Sequence, residues 1–235
     1  MKKSIVSLVL LTLLTILIYS CNCEKGTGNV TTEQRSVAPF TGIEIDGNAK
    51  VTILQSDTAK VEITIDSNLL AFVETKIHGD MLQISTTECV KNITQFEIFI
   101  STPEFNKIEA NGAVVISSKN IIKSEKLELV LNGAGEIKLD LDVQKLYTDI
   151  TGAALIDLKG TVQEHDLNIS GAGTLEAYNL SCKELDANIS GSGNCKVTVT
   201  DDLDAKVSGS GYLYYKGEPK KAQTDVTGAG SIKAK

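Results

Sequence analysis

The chain has 235 residues, 42% of them hydrophobic and 5% aromatic, with no tryptophan, three prolines, 19 glycines and a net charge of −7. The acidic balance repels phosphate backbones, and no run of lysines with interleaved aromatics opposes it, so nucleic acid is excluded as an expected partner. The length fits one elongated domain behind a targeting segment.

Lys2 and Lys3 precede an apolar run from Ile5 to Ile18, too short for a comfortable membrane span, and the chain then reads Tyr19, Ser20, Cys21. Residues 1–20 therefore read as a secretory signal. A small residue directly before a cysteine resembles the bacterial lipobox, which implies cleavage ahead of Cys21 and acylation of that cysteine. Ile18 stands where the lipobox usually has Leu, and the bulky Tyr19 departs from the pattern. The plainer reading is an ordinary cleaved signal with Cys21 as a bystander.

Acylation would make the membrane a partner through Cys21, with each buried CH₂ contributing about 0.8 kcal/mol. The expected address is an exported, membrane-anchored lipoprotein of the outer membrane, with the periplasmic or surface side left open. Removal of residues 1–20 leaves 21 basic and 30 acidic side chains, a net of −9. Residues 21–36, with Gly26, Gly28, Thr31 and Thr32, read as a flexible polar tether.

Residues 37–107 alternate like strands without a clean period. Ile43, Ile45, Gly47, Val51 and Ile53 carry the spacing of a coil around its glycine, so Asp46 to Ala49 reads as a degenerate first turn. Alternating runs follow at Val61 to Ile65, Met81 to Ile84 and Phe96 to Ile100, joined by connections or hairpins over 68–79 and 86–94. This half is expected to cap a repetitive body and hide its first edge.

Residues 108–235 repeat a short motif, a Ser, Thr or Asn, then Gly, then Ala or Ser, usually with Gly again. Its glycines are Gly112, Gly133, Gly152, Gly171, Gly191, Gly209 and Gly228, spaced 21, 19, 19, 20, 18 and 19 residues apart. Two before each stand Ala110, Leu131, Ile150, Ile169, Ile189, Val207 and Val226. Four after stand Ile116, Ile137, Ile156, Leu175, Cys195, Leu213 and Ile232, and the columns six residues to either side are mostly apolar. Columns separated by two are the strand period, and a repeat of about 19 residues means stacked coils. The fold class is all-β, a parallel β-helix-like solenoid of short strands.

The motif glycines supply positive φ at a corner. Ala113, Ala134, Ala153, Ala172, Ser192, Ser210 and Ala229 are expected to stack tightly there, so that Ala172→Leu overpacks the column. The preceding Asn111, Asn132, Thr151, Ser170, Ser190, Ser208 and Thr227 are expected to satisfy turn backbone groups.

An opening of Val37, Phe40, Gly42 and Ile43 followed by repeated Gly-Ala-Gly and Gly-Ser-Gly turns resembles the bacterial family described as putative auto-transporter adhesin, head GIN domain, over nearly the whole mature chain. The resemblance implies a right-handed β-helix-like solenoid and frequent export as a lipoprotein. It carries no catalytic residues and no cofactor.

Few residues invite chemistry. His78 and His165 have no second ligand beside them, and the repeated turn serines are poor candidates for a unique nucleophile. Cys23, Cys89, Cys182 and Cys195 could oxidise in an exported protein. Cys195 falls in the inward column and reads as a buried hydrophobe, with a Cys182–Cys195 bridge as the lesser alternative. Asp166, Asp186 and Asp204 lie five before their glycines and would form a carboxylate row able to hold Ca²⁺, against the plainer reading of a solvated face screened by Lys183, Lys196 and Lys206. Tyr212 and Tyr214 share outward parity and could stack on a sugar ring or a partner surface, or else shield the last coils.

The favoured function is a non-catalytic, lipid-anchored envelope module for adhesion to a glycan or protein. A polysaccharide-processing enzyme competes, but Arg35 is the only arginine and no long insertion builds groove walls. A structural spacer is the third reading.

Overall fold

The structure is a computed structural model in which residues 23–235 are described; the signal segment and Cys21 lie outside the described residues. The chain opens with β1 (Glu24–Lys25), β2 (Val30–Arg35), β3 (Gly42–Gly47), β4 (Lys50–Gln55) and β5 (Lys60–Asp66). A 3-10 turn over Leu70–Phe72 leads to β6 (Val73–His78), β7 (Met81–Thr86), β8 (Val90–Lys91), β9 (Phe96–Thr102) and β10 (Lys107–Gly112). The long strands β11 (Val115–Gly133), β12 (Glu136–Gly152), β13 (Leu155–Gly171), β14 (Thr174–Gly191) and β15 (Asn194–Gly209) follow, then β16 (Tyr212–Lys216), β17 (Lys221–Gly228) and β18 (Ser231–Ala234).

The result is a β-solenoid of about seven turns with coils of about 19 residues. From β10 onward each coil pairs in parallel with the next, and the motif glycines lie directly over one another from Gly112 and Gly133 through Gly209 and Gly228. Gly47 completes the column above Gly112, so the degenerate first turn is a coil corner after all. Where two or three strands per coil were expected, β11 to β15 each run unbroken from one glycine corner to the next, and coil-to-coil bonds bridge the corner itself: Ala172 N–H donates to the Gly152 carbonyl at 2.8 Å, and Thr174 N–H to that of Ala154 at 2.8 Å. Hydrogen bonding between coils thus continues on both sides of the second glycine, which pairs backbone groups that a bend would otherwise leave open.

The inward columns form the core. Leu131, Ile150, Ile169, Ile189 and Val207 are buried, as are Ile137, Ile156, Leu175, Cys195 and Leu213. Each such side chain contributes roughly 1.5–3 kcal/mol relative to exposure. Two polar residues enter the same core. His165 takes the place of Leu146 and Leu185 in its column, fully buried, and its Nε2 lies 3.0 Å from the Thr148 hydroxyl.

The corner differs from expectation in two ways. Ala172 and Ser192 are exposed, so no tight column of small residues exists at that site. The crowded positions are the two glycines on either side: a Cβ on Gly171 would lie 2.6 Å from the Gly152 carbonyl oxygen, and one on Gly173 2.5 Å from Ile150 Cγ2. The polar residues before the glycines bond along the stack in the first coils, Asn132 Nδ2 to Asn111 Oδ1 at 3.0 Å and Asn111 Nδ2 to Asp46 Oδ1 at 2.8 Å, while later Ser190 Oγ donates to the Ile169 backbone carbonyl at 3.4 Å.

At the N-terminal end the parallel winding gains one more coil, with β7 on β3 and β9 on β4. Antiparallel strands then close it, β6 on β7 and, on the other face, β5 on β9 and β2 on β5. Reversing strand direction stops the stack from propagating, and the exposed edges carry Glu33, Arg35, Glu74 and Lys76.

Residues 23–35 are part of this cap, which corrects the expected flexible tether over 21–36. Strand β2 pairs with β5 along its whole length, β1 pairs with β8, and a disulfide joins Cys23 to Cys89. The buried Asp66 carboxylate accepts hydrogen bonds from Gly28 N–H at 2.6 Å, Thr94 N–H at 2.8 Å and the Thr94 hydroxyl at 3.0 Å. Those donors hold its carboxyl below the ordinary aspartate range, the Thr94 amide first among them.

Candidate functional site: the outward sheet faces

Two outward faces flank every corner, and the candidate residues divide between them. The strand entering the corner carries Asp166, Asp186 and Asp204 in one register row, one strand spacing of about 4.8 Å apart. A second row, Glu164, Glu184 and Asp202, runs beside it. Burial, then the charges of Asp186 and Glu164, push the Asp166 carboxyl upward. Lys145 lies 2.6 Å from Glu164, and Lys206 3.8 Å from Asp204. Among the described residues no three carboxylate, imidazole or thiol groups converge as a metal would need.

This face is shallowly grooved. A depression of about 410 Å³ is lined by Lys126, Tyr147, Asp149, Asp166 and Asn168 among others. Lys126 Nζ sits 4.7 Å from the Tyr147 ring centroid. Tyr147 stands directly over Asp166 in register.

The strand leaving the corner forms the other face, which gathers the tyrosines. Tyr212 and Tyr214 stand side by side with ring centroids 6.3 Å apart and planes 4° apart, and Tyr212 is 39% exposed. Register places Lys196 above Tyr214 and Lys233 below it, while Asn194 and Ser231 bracket Tyr212. Tyr178, from two coils above, joins the patch: Lys216 Nζ lies 4.3 Å from its ring centroid, and Lys235 Nζ lies 4.9 Å from that of Tyr214. Lys196 Nζ is 2.7 Å from Glu176, which raises the lysine's pKa through their hydrogen bond.

Sequence reading found Tyr212 and Tyr214 but not Tyr178. The coil from Gly171 to Gly191 is one residue longer than its predecessor, and the ladder shifts between Ala177 and Ser181. Tyr178 therefore falls out of the glycine-anchored columns. Alignment of Glu176, Lys196, Tyr214 and Lys233, all five after their glycines, was available and would have exposed the charged column.

Cys182 and Cys195 are both free and buried, so the lesser alternative of a bridge between them is overturned. Burial raises the Cys182 thiol to about 12 and pushes that of Cys195 up as well. His78 is exposed at the end of β6. Burial lowers His165 to about 4, so it is neutral at pH 7. A cleft of about 560 Å³ lies beside the disulfide, between Asn48, Cys89, Asn92 and Phe96.

Solved structures share this architecture. A putative adhesin from Bacteroides fragilis NCTC 9343 is 26% identical with a TM-score of 0.86, covering 90% of this chain and 99% of that one. A putative adhesin from Parabacteroides distasonis ATCC 8503 is 27% identical, TM-score 0.72, covering 91% and 100%. A putative lipid binding protein from the same strain is 23% identical, TM-score 0.74, covering 91% and 100%, a likeness of fold. No curated protein matches this chain. Residues 39–219 match the family described as putative auto-transporter adhesin, head GIN domain, and with that match and the glycine-cornered solenoid together, the chain belongs to that family.

Proposed function

We propose that this protein is a non-catalytic binding module of the bacterial envelope, held to the outer membrane by acylated Cys21 and presenting the Tyr212–Tyr214 face to a glycan or protein. The observation that carries the reading is the pair of parallel tyrosine rings, Tyr212 exposed and Tyr214 half-buried, on the outward face of the last coils. Aromatic faces stack on sugar C–H surfaces and on apolar side chains at low entropic cost. Membership of a family described as putative auto-transporter adhesin and likeness to a solved structure described as a putative adhesin support an exported binder over an enzyme. The outward carboxylates support it too, because they line open rows along the stack and not an enclosed cleft where an acid and a base would be held at different pKa values.

The test joins a glycan array and an envelope pull-down, using residues 23–235 and a Tyr212→Ala/Tyr214→Ala variant with the same melting temperature. Retention of at least one ligand class, reduced about tenfold in the variant, is expected. Equal binding by both proteins would remove the tyrosine face from the reading. Anchoring is checked separately: Cys21→Ala should shift the full chain from the membrane to the soluble fraction, and unchanged sedimentation would refute acylation.

A further inference from the structure

The two faces of the solenoid carry opposite local charge. The entering face has two carboxylate rows, whereas the tyrosine face carries Lys196, Lys216, Lys233 and Lys235 around Tyr178, Tyr212 and Tyr214. Glu176 on this face is already taken by Lys196. Among the described residues, Lys216, Lys233 and Lys235 have no carboxylate within ion-pair distance, and all three are exposed. A chain with seven more acidic than basic residues therefore concentrates unpaired ammonium groups beside the stacked Tyr212 and Tyr214 rings.

That pairing selects a class of ligand. An anionic polymer is repelled over most of the surface and attracted here, which guides it to the tyrosines. A plain polyanion needs only the ammonium groups, and a neutral sugar only the rings. Ring faces and ammonium groups interleaved on a strand-spaced lattice suit a chain of sugar rings bearing carboxylates or sulfates: pyranose C–H faces rest on Tyr212 and Tyr214, and the acidic substituents take charge-assisted hydrogen bonds from Lys216 and Lys233. Register fixes the spacing, since Tyr214 and Lys233 are direct partners on adjacent strands.

We infer that the face formed by Tyr178, Tyr212, Tyr214, Lys216 and Lys233 is a binding site for an acidic polysaccharide. The inference rests on the binding-module reading and adds the charge of the ligand. Affinity electrophoresis of residues 23–235 through gels holding polygalacturonate, heparin or neutral pullulan tests it. Retardation by one or both anionic polymers, weakening with added salt, and none by pullulan is expected. The two anionic gels separate carboxylate from sulfate recognition.

Lys216→Gln/Lys233→Gln and Tyr212→Ala/Tyr214→Ala should each weaken the retardation about tenfold, while Lys145→Gln on the opposite face leaves it unchanged. Equal loss in Lys145→Gln would mean unspecific charge attraction, and retardation by pullulan would mean that charge plays no part; either overturns the inference. So does the absence of retardation in all three gels. In that case, loss of a protein ligand from the Tyr212→Ala/Tyr214→Ala pull-down would leave the binding-module reading standing, equal capture by both proteins would remove the tyrosine face from it, and capture of nothing would end both.

Discussion

Gly171 and Ala172 are neighbours in one corner and tolerate opposite things. Gly171 has φ of +126°, and a Cβ there would lie 2.6 Å from the Gly152 carbonyl oxygen of the coil above. Gly171→Ala is expected to destabilise by about 1–3 kcal/mol through backbone strain and a contact with backbone that cannot rotate away. Ala172 faces solvent, so Ala172→Leu should stay within about 0.5 kcal/mol of wild type. Urea denaturation of the two variants measures both, and a larger loss in Ala172→Leu than in Gly171→Ala would contradict the corner geometry. His165 sets a second residue-scale expectation. Burial keeps its imidazole neutral down to about pH 4, whereas the unfolded chain takes up the proton near 6.5. The stability tied to the neutral ring is complete above pH 6.5 and is lost as pH falls toward 4, by about 3 kcal/mol. His165→Leu, matching Leu146 and Leu185 in its column, should show a smaller fall in urea midpoint between pH 7 and pH 4.5 than wild type; an equal fall would place the acid sensitivity elsewhere.

The elements divide by how they are held. Coils β11 to β15 are held by in-register hydrogen bonds and apolar columns, and each senses mainly its two neighbours. The N-terminal strand β2 is held by its pairing with β5, by the Asp66 carboxylate and by the Cys23–Cys89 disulfide, which closes a loop of 66 residues. A cross-link over that separation contributes about 4 kcal/mol in the chain-entropy picture. Cys23→Ser/Cys89→Ser should therefore speed amide exchange in residues 30–35 while leaving residues 155–190 as protected as before. Exchange that rises equally in both segments would mean that the cap and coils unfold as one unit. The coils were legible in the sequence because they obey a period: Ile150, Ile169 and Ile189 announce both their burial and their stacking. The cap was not, since Cys23 and Cys89 are joined by no repeat, Asp66 reads like any surface acid, and Gly26, Gly28, Thr31 and Thr32 have the composition of a linker while forming or flanking paired strands.

At the scale of the whole molecule, the glycine register aligns Asp166, Asp186 and Asp204 with one another as the strand pairing has them, but it does not tell that they and the two tyrosines occupy different faces with different charge. Parity says only that a side chain points outward; the side of the corner on which it stands decides which neighbours it meets. The in-register stack has a further consequence for the molecule's reach. Every coil adds one strand spacing, about 4.8 Å, and the cap at the opposite end is strapped down from Cys23 onward. Coil count thus works as a gauge of height. A related chain that gained or lost a coil would move its aromatic patch away from or toward the cap in equal increments, while the chemistry of that patch stayed the same.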